Sequence, residues 1–388
     1  MALSALQVGE KRSSSTASLE DYQRSTRPRE SSTGSVPTQA PVPAPTSASS
    51  ASAVYDWLVT YNPKVPRNIS LNLAHTINFE GVVCCVRFSY SGKYLAISGN
   101  HLCSIFDTTD GSRLLTLAHG NGDKSDLYVR SLSFSPDDEL FATGSEDNLI
   151  RVWSMDDLLR ATQAPEPLKI LKGHTQDVYT LEFIDRDRLV SGSGDETLRI
   201  WDVSQATCQH TIKLESSEKG AGKEAAITSL AVSHSRRFVA AGSLDKLVRV
   251  WDLQAEGEPE LVQTLQGHSD SIYAVCFNQS DSEIISGSLD KTVRRWDFSR
   301  PGTCLQVISG HRDFVLSVAA GGVKSEFIIS ASKDRSVQFW DLASETLQVT
   351  LQGHKNSVIS VAVSPAGGVF ATGSGDGRAR IWTFSEKE

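Results

Sequence analysis

Seven times along this chain an alternating apolar strand closes on an aromatic residue. The seven are Phe106, Trp153, Trp201, Trp251, Trp296, Trp340 and Trp382, spaced 42 to 50 residues apart. A period of that length is one supersecondary unit, and such units bury their apolar faces by stacking on one another. Each copy reads as a strand, a turn, a second strand usually ending in Ser/Thr-Gly-Ser, an Asp turn, and a strand ending on the aromatic, as in LEFIDRDRLVSGSGDETLRIWD from Leu181 to Asp202. The period of two within each copy, as in Arg199-Ile200-Trp201, is that of strands and not of helices. Gly-His pairs precede four of the aromatics, at Gly173-His174, Gly267-His268, Gly310-His311 and Gly353-His354, with 27 to 29 residues from His to Trp.

The arrangement resembles the WD-repeat pattern, in which each repeat forms one four-stranded propeller blade. The expected fold is all-β, a seven-bladed β-propeller. The last repeat ends at Trp382, six residues before the C-terminus, so blade seven lacks an outer strand there. The alternating segment from Ile69 to His75 precedes the first inner strand and is expected to supply it. Closure of the ring then removes the exposed strand edges. Two regions follow: a tail over residues 1–54 and the propeller over 55–388. Residues 1–54 hold 13 Ser, 5 Thr, 5 Pro and 8 Ala with Tyr22 as the one aromatic, too little apolar surface to offset the entropy of ordering, so a disordered tail is expected. Pro41-Val42-Pro43-Ala44-Pro45 reads as part of this solvated tail before it reads as a ligand for a proline-recognition domain.

Charge narrows the function. The 38 Lys and Arg against 46 Asp and Glu leave a net charge of -8. Such a chain is not expected to bind nucleic acid directly, nor an anionic membrane surface. No run of about 18 apolar residues is present, and the first ten residues lack a basic stretch followed by an apolar one. Cys84, Cys85, Cys103, Cys208, Cys276 and Cys304 form no C-x-x-C pair, so buried free thiols in a reducing compartment are expected. His75, His101, His119, His210 and His234 show no ligand spacing and read as surface histidines, with no metal or cofactor implied.

One constellation has the residue types of a hydrolase triad. His174, Ser191, Asp195 and Trp201 should converge in the third repeat, but the same set recurs as His268, Ser286, Asp290, Trp296, as His311, Ser330, Asp334, Trp340, and as His354, Thr372, Asp376, Trp382. Four copies at four places point to architecture, not to catalysis: indole to hydroxyl, hydroxyl to imidazole, imidazole to carboxylate, each buried polar group pairing with the next. Repeat four has Ala241 at the hydroxyl position and no Gly-His; repeat two has Thr143, Asp147 and Trp153 after the loose loop Ala118 to Asp123; repeat one has Phe106 and a shortened turn at Gly99-Asn100. Blades one, two and four are therefore expected to be less rigid than the rest.

In WD-repeat proteins the residues that begin each inner strand face the top of the ring. By register, the residue after the leading Val or Ile is Cys84, Arg130, Tyr179, Thr228, Tyr273, Leu316 or Ile359; the residue before it is Val82, Tyr128, Asp177, Ala226, Ser271, Phe314 or Ser357. An aromatic and apolar ring with an arginine has the composition of a binding hot spot. The expected contacts are Cys84, Tyr128, Arg130, Asp177, Tyr179, Thr228, Tyr273, Phe314, Leu316 and Ile359, with channel lining as the competing role.

Several words go beyond the generic repeat: Tyr61-Asn62-Pro63 with Pro66-Arg67, Val82 to Val86, Ser125-Asp126-Leu127-Tyr128, Phe141-Ala142-Thr143-Gly144, Gly192-Ser193-Gly194-Asp195, Ser357 to Val363, and Phe370 through Trp382. Over about residues 55–384 the chain resembles the propeller of the Tup-type fungal general transcriptional corepressors. The resemblance implies a nuclear, non-enzymatic scaffold that docks on DNA-bound transcriptional repressors through its top face, with histone tails as a further partner. In that family an N-terminal helix forms tetramers and binds a partner with tetratricopeptide repeats. Residues 1–54 show no heptads and no long amphipathic helix, so self-tetramerisation is not expected. The alternative is a substrate receptor of a cullin-type ubiquitin ligase. Such receptors often carry Arg or Lys two places after Trp-Asp, where this chain has Ser204, Gln254 and Ser299.

Overall fold

The structure, a computed structural model, describes residues 56–119, 127–161, 165–215, 225–254, 257–300, 302–322 and 326–386. The expectations for residues 1–54, and for Gly120 to Asp123, lie outside the described residues. The described chain forms seven antiparallel sheets, each built from four consecutive positions of the repeat. Blade three is representative, with Val178–Phe183 innermost, then Arg188–Ser193, Thr197–Asp202 and Thr207–Lys213 outermost.

The turn between the second and third strands is made the same way in six blades. The residue after the turn aspartate adopts the left-handed conformation, as at Asn148, Glu196, Lys246, Lys291, Arg335 and Gly377. The aspartate compensates by accepting the amide two residues on: Asp195 from Thr197 at 3.0 Å, Asp290 from Thr292 at 2.9 Å, Asp334 from Ser336 at 2.9 Å. In blade two the residue after Trp153 is Ser154, which caps a short helix, Met155–Arg160, by accepting the amide of Asp157 at 3.3 Å.

The ring closes as its sequence pattern predicts. Ile69–Asn78 pairs antiparallel with Arg378–Glu386, from Ile69 opposite Glu386 to Asn78 opposite Arg378, and completes blade seven. Neighbouring inner strands are stitched by hydroxyls. Ser131 accepts the amide of Leu181 at 2.9 Å, Thr180 that of Leu230 at 3.1 Å, Ser229 that of Val275 at 2.9 Å, Ser317 that of Val361 at 3.1 Å, and Ser360 that of Val86 at 3.1 Å, across the closing seam. One element was not expected. Leu58–Tyr61 adds a fifth strand to the outside of blade six, on Thr346–Gln352. Four residues are too few to show a period of two, which is why the pattern concealed it.

Candidate partner-binding face

The residues at the mouth of the ring are delivered by β-bulges. The leading Val or Ile of every inner strand is fully buried: Val83, Val129, Val178, Ile227, Ile272, Val315 and Val358. Immediately after it, in six blades, the pairing register slips by one residue. The extra residue is Arg130, Tyr179, Thr228, Tyr273, Leu316 or Ile359, and a bulged residue is left out of the ladder and re-aimed. All six line a central channel of about 450 Å³. Cys84 is the blade-one counterpart, with its Sγ 3.7 Å from an Arg130 nitrogen; burial pushes its thiol up to about 11 against the pull of Arg130. Tyr128, Asp177 and Phe314 stand one step earlier, outside the channel lining.

Two clusters shape this rim. Arg130 donates to Glu146 from Nε at 2.8 Å and from Nη2, and its guanidinium lies 4.5 Å over the Tyr128 ring. Glu146 also accepts the Tyr128 amide at 3.0 Å. Burial first, then the Glu146 charge, raises the neighbouring Asp177 carboxyl to about 6, while Arg130 opposes. Across the ring Lys333 sits 4.7 Å over Phe314. Glu146 was missed by sequence reasoning; the available signal was its place directly before the turn aspartate. Residues there donate their amides to the carbonyl before the leading apolar residue, as Glu146 does to Tyr128 at 3.1 Å and Lys333 to Phe314 at 2.9 Å.

Not every expected contact is presented equally. Leu316 is 6% exposed, and the Thr228 hydroxyl donates to the carbonyls of Gly242 and Ile272. Tyr128, Arg130, Asp177, Tyr179, Tyr273 and Phe314 are half-buried.

The polar sets converge, with departures from expectation. His174 meets Ser191 at 2.7 Å and Asp195 at 2.9 Å, and the Trp201 indole donates to Ser191 at 2.8 Å. His268, Ser286, Asp290 and Trp296 repeat this at 2.7, 2.8 and 2.8 Å. His354, Thr372, Asp376 and Trp382 do so at 2.8, 3.1 and 3.0 Å. Blade six departs: His311 reaches Ser330 at 2.8 Å and Asp334 at 3.0 Å, but the Trp340 indole nitrogen is buried without a partner. Two places before the other three tryptophans stands an arginine about 5.8–5.9 Å over the indole; before Trp340 stands Gln338, whose amide bonds Gly310 instead.

The surface reading of His119 is wrong. It is 5% exposed and its Nε2 bonds the Thr143 hydroxyl at 2.8 Å, so blade two has its histidine despite the longer loop. Burial, then Arg151, lowers its imidazole to about 4. His119 does not reach Asp147; Arg151 takes that carboxylate at 2.6 Å. In blade four Arg249 takes Asp245 at 2.6 Å, replacing the absent histidine. Blades two and four thus hold their turns by ion pairs, a compensation that the missing Gly-His pairs concealed. The free thiols also differ from expectation: Cys103 alone is buried, the other five half-buried.

The hydroxyls of the four sets, Ser191, Ser286, Ser330 and Thr372, have no solvent exposure, so none can meet a substrate. In the sets the imidazole and turn hydrogen bonds outweigh burial and hold Asp195, Asp290 and Asp334 well below the usual carboxylate range and Asp376 at about 2. Among the described residues no three His, Cys, Asp or Glu side chains are grouped for a metal ion.

A ring of seven sheets with these recurring sets is a WD-repeat propeller, and the chain belongs to that family: the WD domain, G-beta repeat, matches residues 71–107, 111–154, 165–202, 207–252, 259–297, 302–341 and 345–383. It is homologous to the transcriptional repressor rco-1 of Neurospora crassa, 43% identical over 347 residues, and to the general transcriptional corepressor TUP1 of Saccharomyces cerevisiae, 37% identical over 401 residues. Each match covers 85% of this chain and 55% of the relative, so the chain spans little more than half their length. The general transcriptional corepressor tupA of Dictyostelium discoideum is 43% identical over 124 residues, 32% of this chain and 20% of that protein.

Proposed function

We propose that this protein is a non-enzymatic transcriptional corepressor scaffold that acts in the nucleus and docks on DNA-bound repressors through the rim built from Tyr128, Arg130, Asp177, Tyr179, Tyr273 and Phe314. The carrying observation is that the repeated bulge gathers aromatic and charged side chains at one end of a rigid ring. Half-buried tyrosines give large contact area at low entropic cost. The carboxylate of Asp177 suits lysine-rich histone tails as a second ligand, since that of Glu146 is taken by Arg130 and the Tyr128 amide. The names of the homologous proteins support the class of partner. The ligase alternative gains nothing from Ser204, Gln254 and Ser299: the hydroxyl of Ser204 and the amides of Gln254 and Ser299 turn back on Asp202, Asp252 and Asp297.

The test is the double variant Tyr179→Ala with Tyr273→Ala. Each truncation is expected to cost about 2 kcal/mol of binding, so repressor binding and reporter repression are lost while the melting temperature stays near wild type. Gln209→Ala, exposed on the outer strand of blade three, is the control. Gln348 also lies on an outer strand, but the fifth strand leaves it 4% exposed, so it is unsuitable as a surface control. Undiminished repressor binding by the double variant contradicts the assignment.

A further inference from the structure

The outside of this ring already accepts one extended segment, and most of the geometry of that contact recurs at another edge, where no described segment is paired. Asp56 pairs with Arg378 and Arg380. Trp57 packs edge-on to Trp382, centroids 5.6 Å apart at 81°. The next four residues pair along the outer strand of blade six, from Leu58 opposite Gln352 to Tyr61 opposite Val349. Gly353 permits the approach: a Cβ there would stand 2.6 Å from Arg380 Nη1 and 2.9 Å from Trp57 Cβ. Arg380 becomes fully buried, its charge met by Asp56.

The outer strand of blade four, Glu260–Gln266, is the twin. It runs into Thr264-Leu265-Gln266-Gly267-His268, the same five residues as Thr350-Leu351-Gln352-Gly353-His354. Arg294 lies 5.8 Å over Trp296, as Arg380 lies 5.8 Å over Trp382. A Cβ on Gly267 would again stand 2.6 Å from the arginine Nη1. Yet no described strand pairs with this outer edge. Val262 is 39% exposed where its counterpart Gln348 is 4% exposed, and Leu261 is 49% exposed. No described carboxylate pairs with the Arg294 guanidinium, where Asp56 pairs with that of Arg380. The other blades do not reproduce the set. Arg151 and Arg249 are committed to Asp147 and Asp245, Gln338 has no charge, and Arg199 sits beside an outer strand of only three residues, Lys169–Leu171.

We propose that the outer edge of blade four, with Arg294 of blade five, docks an extended partner peptide that begins with an acidic residue and continues as a β-strand. A carboxylate answers the guanidinium, and main-chain hydrogen bonds extend the sheet over the exposed Leu261 and Val262. This surface lies on the side of the ring and does not depend on the role of the rim.

The probe is a fluorescent peptide with the sequence of residues 56–62, titrated into the full chain, and carrying in a second preparation a photoreactive group at the position of Trp57. Saturable binding is expected. It should weaken at least tenfold with Arg294→Gln, with Asp56→Asn in the peptide, or with Val262→Asp at an exposed position, and stay unchanged with Arg199→Gln. Crosslinks should fall on residues 260–267 or 294–296. Absence of binding up to millimolar peptide, binding indifferent to Arg294→Gln and Val262→Asp, or crosslinks confined to residues 346–353, the sign of simple exchange with the chain's own segment, overturns the proposal.

Discussion

At the scale of the residue, the polar sets separate what a motif names from what its geometry does. In blade three the Trp201 indole closes the chain on Ser191, whereas in blade six the Trp340 indole does not. Replacing Trp201 by Phe therefore breaks a buried hydrogen bond and leaves Ser191 a link short, while Trp340→Phe removes a nitrogen that already lacks a partner. Denaturant unfolding should show Trp201→Phe destabilising by about 1 kcal/mol more than Trp340→Phe. Equal losses would show that the indole bond contributes nothing. The four histidines after glycine were legible because Gly-His spacing is stiff. His119 was not, because its longer loop breaks the spacing, although its side chain reaches the same hydroxyl. Nor could the sequence show that Arg151 and Arg249 would take the aspartates, since an arginine at that place also occurs where it stacks on the tryptophan instead.

At the scale of the element, two N-terminal strands act differently. The closing strand buries Ile69, Leu71 and Ile77 and completes blade seven. The strand Leu58–Tyr61 only thickens blade six. Deleting residues 1–50 should leave the melting temperature near wild type, deleting 1–65 should lower it modestly, and deleting 1–80 should lower it severely. The last step removes three buried aliphatic side chains, each contributing about 1.5–3 kcal/mol, and opens a strand edge. Equal melting temperatures for the 1–65 and 1–80 deletions would refute closure by Ile69–Asn78. The closing strand was legible because its alternation runs long enough to see and the repeat count left a vacancy for it. The bulges were not legible: a slip of one residue leaves the apolar pattern intact up to the leading Val or Ile and changes only where the next side chain goes.

At the scale of the whole molecule, hydroxyls stitch five of the seven seams between inner strands around the channel, and at the equivalent places in blades one and five stand Cys85 and Ala274. Within the channel Arg87 and Glu182 stand 3.9 Å apart, so the lining carries its own charge pair. Inner strands stitched in this way are expected to move little when a partner binds. The central claim, that partners engage the bulge-delivered rim, is tested most directly by hydrogen exchange of the full chain with and without a bound repressor peptide. Protection is expected in the segments 127–130, 177–179, 271–273 and 313–316, with outer strands such as Thr207–Lys213 unchanged. Protection confined to outer strands or to the opposite end of the channel, around Tyr90 and Arg236, would contradict the account.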